Sequence, residues 1–105
     1  MNQKYIVVYT TFPNRRIAEK VIDGLVNAKM AACGNIFTLF SIYRWQGEVE
    51  KTPEYGAFIK TKRSRYRAVE KYIKENHPYE LPEIIAWDIG CGQRTYLNWI
   101  NKVTD

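Results

Sequence analysis

The chain has 105 residues, enough for one domain spanning 1–105, with 46 % of them hydrophobic and 26 % charged. No apolar run approaches the ~20 residues that a membrane-spanning helix needs, so no membrane partner is expected. The net charge of +5 gathers in KTKRSRYR, residues 60–67; without an RNA-binding or helix-turn-helix signature, that run reads as a solvated helix face relieved by Glu70 and Glu75, and no nucleic-acid partner is expected.

The first segment, YIVVYTT (5–11), is nearly continuously apolar and β-branched, the pattern of a strand buried on both faces. FPN ends it, and Asn14 is placed to cap a helix predicted over Arg15–Met30, whose apolar face carries Ile17, Ala18, Val21, Ile22, Leu25 and Val26. CGNIFTLFSIYRW (33–45) reads as a long second strand, with a break or bulge at Gly34–Asn35. WQGEVE carries a glycine turn signal, Pro53 is expected to interrupt the return, and EYGAFIKTK (54–62) resumes as a third strand.

Ser64 is the expected cap of a second helix running to about Glu75, with Tyr66, Val69, Tyr72 and Ile73 on one face. His77 and Pro78 stop it, because a residue before proline is driven away from helical angles. EIIAWDI (83–89) is the fourth strand, GCG a loop, and a last helix is predicted over Gln93–Lys102, burying Tyr96, Leu97, Ile100 and Trp99.

The order β-α-β-β-α-β plus a C-terminal helix predicts an α+β, ferredoxin-like split β-α-β fold, an antiparallel sheet with strand order 4-1-3-2. That topology brings three distant segments to one end: Thr10–Asn14, Tyr43–Glu54 and His77–Glu83. The second strand lies at an edge yet is apolar on both faces, an aggregation hazard unless covered. A closed homo-oligomer in which long hairpins pair between subunits would cover it; the alternative is cover by the C-terminal helix of the same chain.

The cysteines, Cys33 and Cys91, form no C-x-x-C, and one histidine cannot complete a zinc finger. Both read as free thiols of a reducing compartment. The N-terminus MNQKYIVVYTTFPN lacks the separate regions of a secretory signal, which predicts a cytoplasmic protein.

The motifs VVYTTFPN, AACGNI, SIYRWQGEVE, FIKTK, HPYELPEIIAWDI and YLNWI, in this order and spacing, closely resemble the CutA family of divalent-cation tolerance proteins. The resemblance implies a homotrimer related in architecture to the PII signalling proteins, a role in response to divalent metal ions with copper foremost, and no established enzymatic activity. Some bacterial relatives carry a thiol at the end of the first strand and a second histidine before HPY. The matching positions here are Thr10 and Asn76, neither a strong copper ligand.

Two sites are expected at the converged end. His77 and Glu83, with Glu80 and Glu54 nearby, are candidate ligands for Cu(II) or another divalent cation, no cofactor being required. His77 could equally be a helix-terminating residue near carbonyl oxygens. Tyr43, Trp45, Lys60, Tyr79 and Glu83 match the family's aromatic and charged positions and are expected to line a cleft between subunits. That cleft suits either a PII-like sensor of a small anionic metabolite or the packing of a trimer interface. A trimeric adaptor with an unidentified protein partner is the remaining reading. Hydrolase chemistry has little support, since Ser41 and Ser64 lie in no nucleophile elbow, and no G-x-x-x-x-G-K-[ST] loop exists for nucleotide phosphates.

Overall fold

A computed structural model describes residues 4–105. β1 (Tyr5–Phe12) leads to α1 (Arg15–Asn27), then β2 (Cys33–Trp45) and β3 (Glu48–Lys62). A 3-10 turn (Arg63–Arg65) enters α2 (Tyr66–Glu75), followed by β4 (Ile84–Asp88) and α3 (Arg94–Val103). The strands form one antiparallel sheet in the order β2-β3-β1-β4, which is the predicted ferredoxin-like arrangement.

The core lies between the sheet and the helices α1 and α2. Ile6, Val8 and Phe12 alternate onto the covered face of β1 and meet Ala18, Val21 and Leu25 of α1 and Val69 and Ile73 of α2. Asn14 starts α1 as expected, its Oδ1 accepting from Ile17 N over 2.9 Å. The helix stops at Asn27, three residues before the predicted end. Lys29 has φ +60, and Met30 N turns back to Leu25 O over 3.0 Å, so a left-handed residue closes the last turn.

The opposite face of the sheet carries no helix across its centre. Tyr9, Phe37, Phe58 and Trp87 form an aromatic cluster there, with Phe37 and Phe58 centroids 4.8 Å apart and Tyr9 within 6.5 Å of Trp87. Trp87 is 46 % exposed and Ile85 49 %.

The β2–β3 ladder runs without interruption from Cys33↔Lys60 to Trp45↔Glu48. No bulge forms at Gly34–Asn35; Gly34 instead makes room for Ile22, since a Cβ there would lie 2.7 Å from Ile22 Cγ2. Gln46 and Gly47 turn the hairpin with φ of +51 and +83, the two left-handed residues of a type I′ turn. Pro53 does not interrupt the return. It pairs opposite Phe40 in the half of β3 that has no neighbour but β2, where a missing N–H is tolerated at an edge. Residues 48–54 therefore carry the hairpin beyond β1, and the molecule measures 46 × 25 × 22 Å.

Ser64 is not the cap of α2; the 3-10 turn leads the chain in, and no side chain caps the first helical turn. α3 is capped by Gln93, whose Oε1 accepts from Tyr96 N over 3.1 Å. It buries Ile100, while Tyr96 and Trp99 stay 41 % and 39 % exposed. It packs against the end of β3, where Lys62 Nζ donates to Thr104 O over 3.2 Å, and leaves Phe40 and Ile42 of the edge strand 63 % and 64 % exposed.

Candidate functional site

The predicted convergence is present. The loop between α2 and β4 reaches the end of β1 through His77 and the root of the projecting hairpin through Tyr79. His77 stacks on Phe12, centroids 5.0 Å apart and planes inclined by 16°. Its Nε2 lies 2.7 Å from Thr11 O, and its Nδ1 accepts from Tyr79 N over 3.1 Å. A carbonyl accepts only, so Nε2 carries the proton and Nδ1 is bare. Burial lowers the imidazole pKa, against the opposing pull of the Thr11 carbonyl and the Glu54 charge. His77 is thus a neutral ring with both nitrogens engaged inside the chain, and a metal at either nitrogen would have to break one of these bonds.

Glu54 is 6 % exposed, unusually buried for a carboxylate. Its Oε1 accepts from Ser41 Oγ over 2.6 Å and its Oε2 from Tyr79 Oη over 2.7 Å. Burial and then the Glu54 bond and charge push the Tyr79 phenol far above its usual range, so it remains a donor. Glu83 faces the same space, its carboxyl raised by burial and by the Glu54 charge. Tyr9 is raised by burial and by both glutamates.

These groups border an open cleft of about 660 Å³. Tyr43, Trp45 and Tyr79 supply its aromatic surface, with Leu81 at the rim, 71 % exposed. Its charged lining is Glu54, Glu80 and Glu83 against Arg44. Lys60 is not part of it within one chain. Six residues along β3 separate it from Glu54, roughly 20 Å of strand, and its Nζ donates to Asn35 Oδ1.

The remaining candidates lie elsewhere. Cys33 is half-buried with its Sγ 3.6 Å from Tyr96 Oη, and Cys91 is exposed; both are free. Thr10 is fully buried and its hydroxyl has no partner among the described residues. Asn76 Nδ2 donates to Tyr72 O over 2.8 Å. Among the described residues no three His, Cys, Asp or Glu side chains group closely enough to hold a metal ion.

Ser41 was not singled out from sequence, and neither was the Thr11 carbonyl. The signal for Ser41 was the two-residue turn at Gln46–Gly47. Counting back from it pairs Ser41 with Thr52 and Leu39 with Glu54, which sets Ser41 diagonally across from Glu54 on one face.

A family described as CutA1 divalent ion tolerance protein matches residues 6–103. The chain is 38 % identical to the divalent-cation tolerance protein CutA of Pyrococcus horikoshii, over 94 % of this chain and 97 % of that protein. It is 39 % identical to the chloroplastic protein CutA of Arabidopsis thaliana, over 94 % of this chain and 55 % of that protein. The solved structure of the periplasmic divalent cation tolerance protein CutA from Archaeoglobus fulgidus superposes with a TM-score of 0.95 at 32 % identity, covering 96 % of this chain and 99 % of that one. No helix among the described residues is long and apolar enough to cross a membrane.

Proposed function

The chain belongs to the CutA1 divalent ion tolerance family, and we propose that it acts there as a homotrimer that binds a divalent cation without catalysing a reaction. Glu54 carries this reading. Its carboxylate is 6 % exposed, Glu83 shares its surroundings, and among the described residues neither is ion-paired with a lysine or arginine. Burying a carboxylate without a counter-charge is costly, and a bound cation would offset that cost. The donors on offer are oxygens, which suit hard divalent cations, while Cu(II) binds most donor sets well. Glu54 and Glu83 hold the ion in this reading, and His77 holds the loop. Water or a neighbouring subunit completes the coordination.

The trimer is supported by the apolar edge at Phe40 and Ile42 and by the aromatic cluster at the centre of the open face, both exposed in a lone chain. A cytoplasmic setting is part of the proposal, and the unpaired Cys33 and Cys91 suit a reducing compartment.

The test is calorimetric titration with Mn(II) and with Cu(II), on wild type, Glu83→Gln and His77→Ala, with sedimentation reporting the assembly state. Saturable binding that is lost in Glu83→Gln and kept in His77→Ala is expected. Binding lost only in His77→Ala would return the ion to imidazole, and no binding in any protein would remove the divalent ion from this cleft.

A further inference from the structure

We propose that the cleft beside Glu54 also binds an organic cation, an alkylammonium or guanidinium compound, held between the aromatic side chains Tyr43, Trp45 and Tyr79 and the carboxylate of Glu83. This stands apart from the divalent-ion reading, because a bare metal ion makes no use of aromatic walls.

Three observations carry it. The first is size. At about 660 Å³ the cleft matches the 300–1,000 Å³ typical of small-molecule sites and far exceeds the needs of one metal ion. The second is chemistry. The negative faces of Trp and Tyr rings attract cations, and alkyl carbons beside an ammonium group pack on the same rings. Tyr43 is 41 % exposed, with its hydroxyl 3.4 Å from Thr52 Oγ1 at the hairpin surface, so its ring is open to solvent. Tyr79 is fixed at its hydroxyl by Glu54 and at its amide by His77.

The third is charge. The chain carries +5 overall, yet this cleft sets Glu54, Glu80 and Glu83 against Arg44 alone. Within one chain Lys60 lies at the far end of β3, where its Nζ donates to Asn35 Oδ1. The local field therefore turns away an anionic metabolite and draws in a cation. Glu54 has a hydroxyl on each oxygen, which leaves Glu83 as the carboxylate free to meet the ligand.

The experiment is calorimetric titration of the full chain with butane-1,4-diammonium in chelator-treated, low-salt buffer. Butane-1,4-diol serves as the neutral control, and Trp45→Leu and Glu83→Gln as variants. Trp45 sits at the hairpin end, outside the core cluster, so its replacement spares the fold. Saturable binding of the diammonium and none of the diol is expected. Trp45→Leu weakens it about threefold to thirtyfold, the span of one cation–π contact, and Glu83→Gln weakens it about tenfold, as for one charged hydrogen bond. No saturable diammonium binding, equal binding of the diol, or an affinity unchanged in both variants overturns the proposal. Metal titrations on the same proteins separate the two readings. Diammonium binding without metal binding supports this inference alone, and metal binding without diammonium binding overturns it alone.

Discussion

Tyr79 donates its hydroxyl to Glu54 Oε2 over 2.7 Å, and this one bond joins the loop before β4 to the root of the β2–β3 hairpin. The acceptor is almost fully buried, and burial together with this contact keeps the donor protonated. Tyr79→Phe leaves a buried carboxylate oxygen short of a donor. The expected loss is about 1–3 kcal/mol, read from urea unfolding at neutral pH. A variant as stable as the wild type would show that water replaces the phenol at no cost.

His77 makes stability depend on pH. Its folded-state pKa is lowered from 6.5, so the unfolded chain binds the proton more readily. The contribution is complete above about pH 6.5 and is lost as pH falls from there through the folded value. Protonation also converts Nδ1 to a donor facing the Tyr79 N–H, so the bond that shapes the loop is lost with it. Thermal melts between about pH 8 and pH 5 should fall off more steeply in wild type than in His77→Gln. Glu83 works the other way. Its raised carboxyl favours the folded state in acid and loses that advantage as pH rises through its elevated pKa, so Glu83→Gln removes a slope of opposite sign. Parallel curves for wild type and His77→Gln would rule His77 out as the source.

Thr10 offers a gain. Its side chain is 0 % exposed, and its hydroxyl has no partner among the described residues. Thr10→Val keeps the branched shape and removes an unmet polar group, with an expected stabilisation of about 1 kcal/mol in denaturant unfolding. A loss of stability would mean that the hydroxyl has a partner in solution.

Phe58 tests the proposed trimer. It sits in the helix-free aromatic cluster, 5.7 Å from Tyr9 and 4.8 Å from Phe37, and is 38 % exposed in a single chain. Phe58→Arg places a charge where the proposal puts subunit contact. Sedimentation equilibrium should then report monomer from a folded chain, confirmed by an unchanged far-ultraviolet spectrum. A trimer that survives the substitution would move the interface away from this face.

The element order was readable because each segment states its own period. YIVVYTT is nearly continuously apolar and β-branched, and the face of α1 repeats at helical spacing, so the antiparallel order followed from topology. Pro53 misled because the effect of a missing N–H depends on whether a second strand lies alongside, which is settled by where β1 ends at Phe12. The position of the site was readable for the same topological reason, but its chemistry was not. Glu54 was placed near the candidate ligands, but its burial under Ser41 and Tyr79 could not be read from sequence. His77 was read as a candidate ligand or a helix-ending residue, and its bond from Nε2 to the Thr11 carbonyl, sixty-six positions away, could not be read from sequence. Lys60 was read into a cleft between subunits, and the uninterrupted register of β3 shows how far it lies from Glu54 within one chain.

The hairpin leaves the sheet at Glu54, and the seven residues from Glu48 to Glu54 have β2 as their one neighbour strand. Mechanically this is a cantilever, a twisted two-strand beam of roughly 23 Å at 3.3 Å per residue. Its clamp is the pair of hydroxyls on one carboxylate. For a beam of that length, a tilt of about five degrees at the clamp moves the tip by about 2 Å. Glu54 therefore stands at the fixed end of the beam whose free end is the Gln46–Gly47 turn.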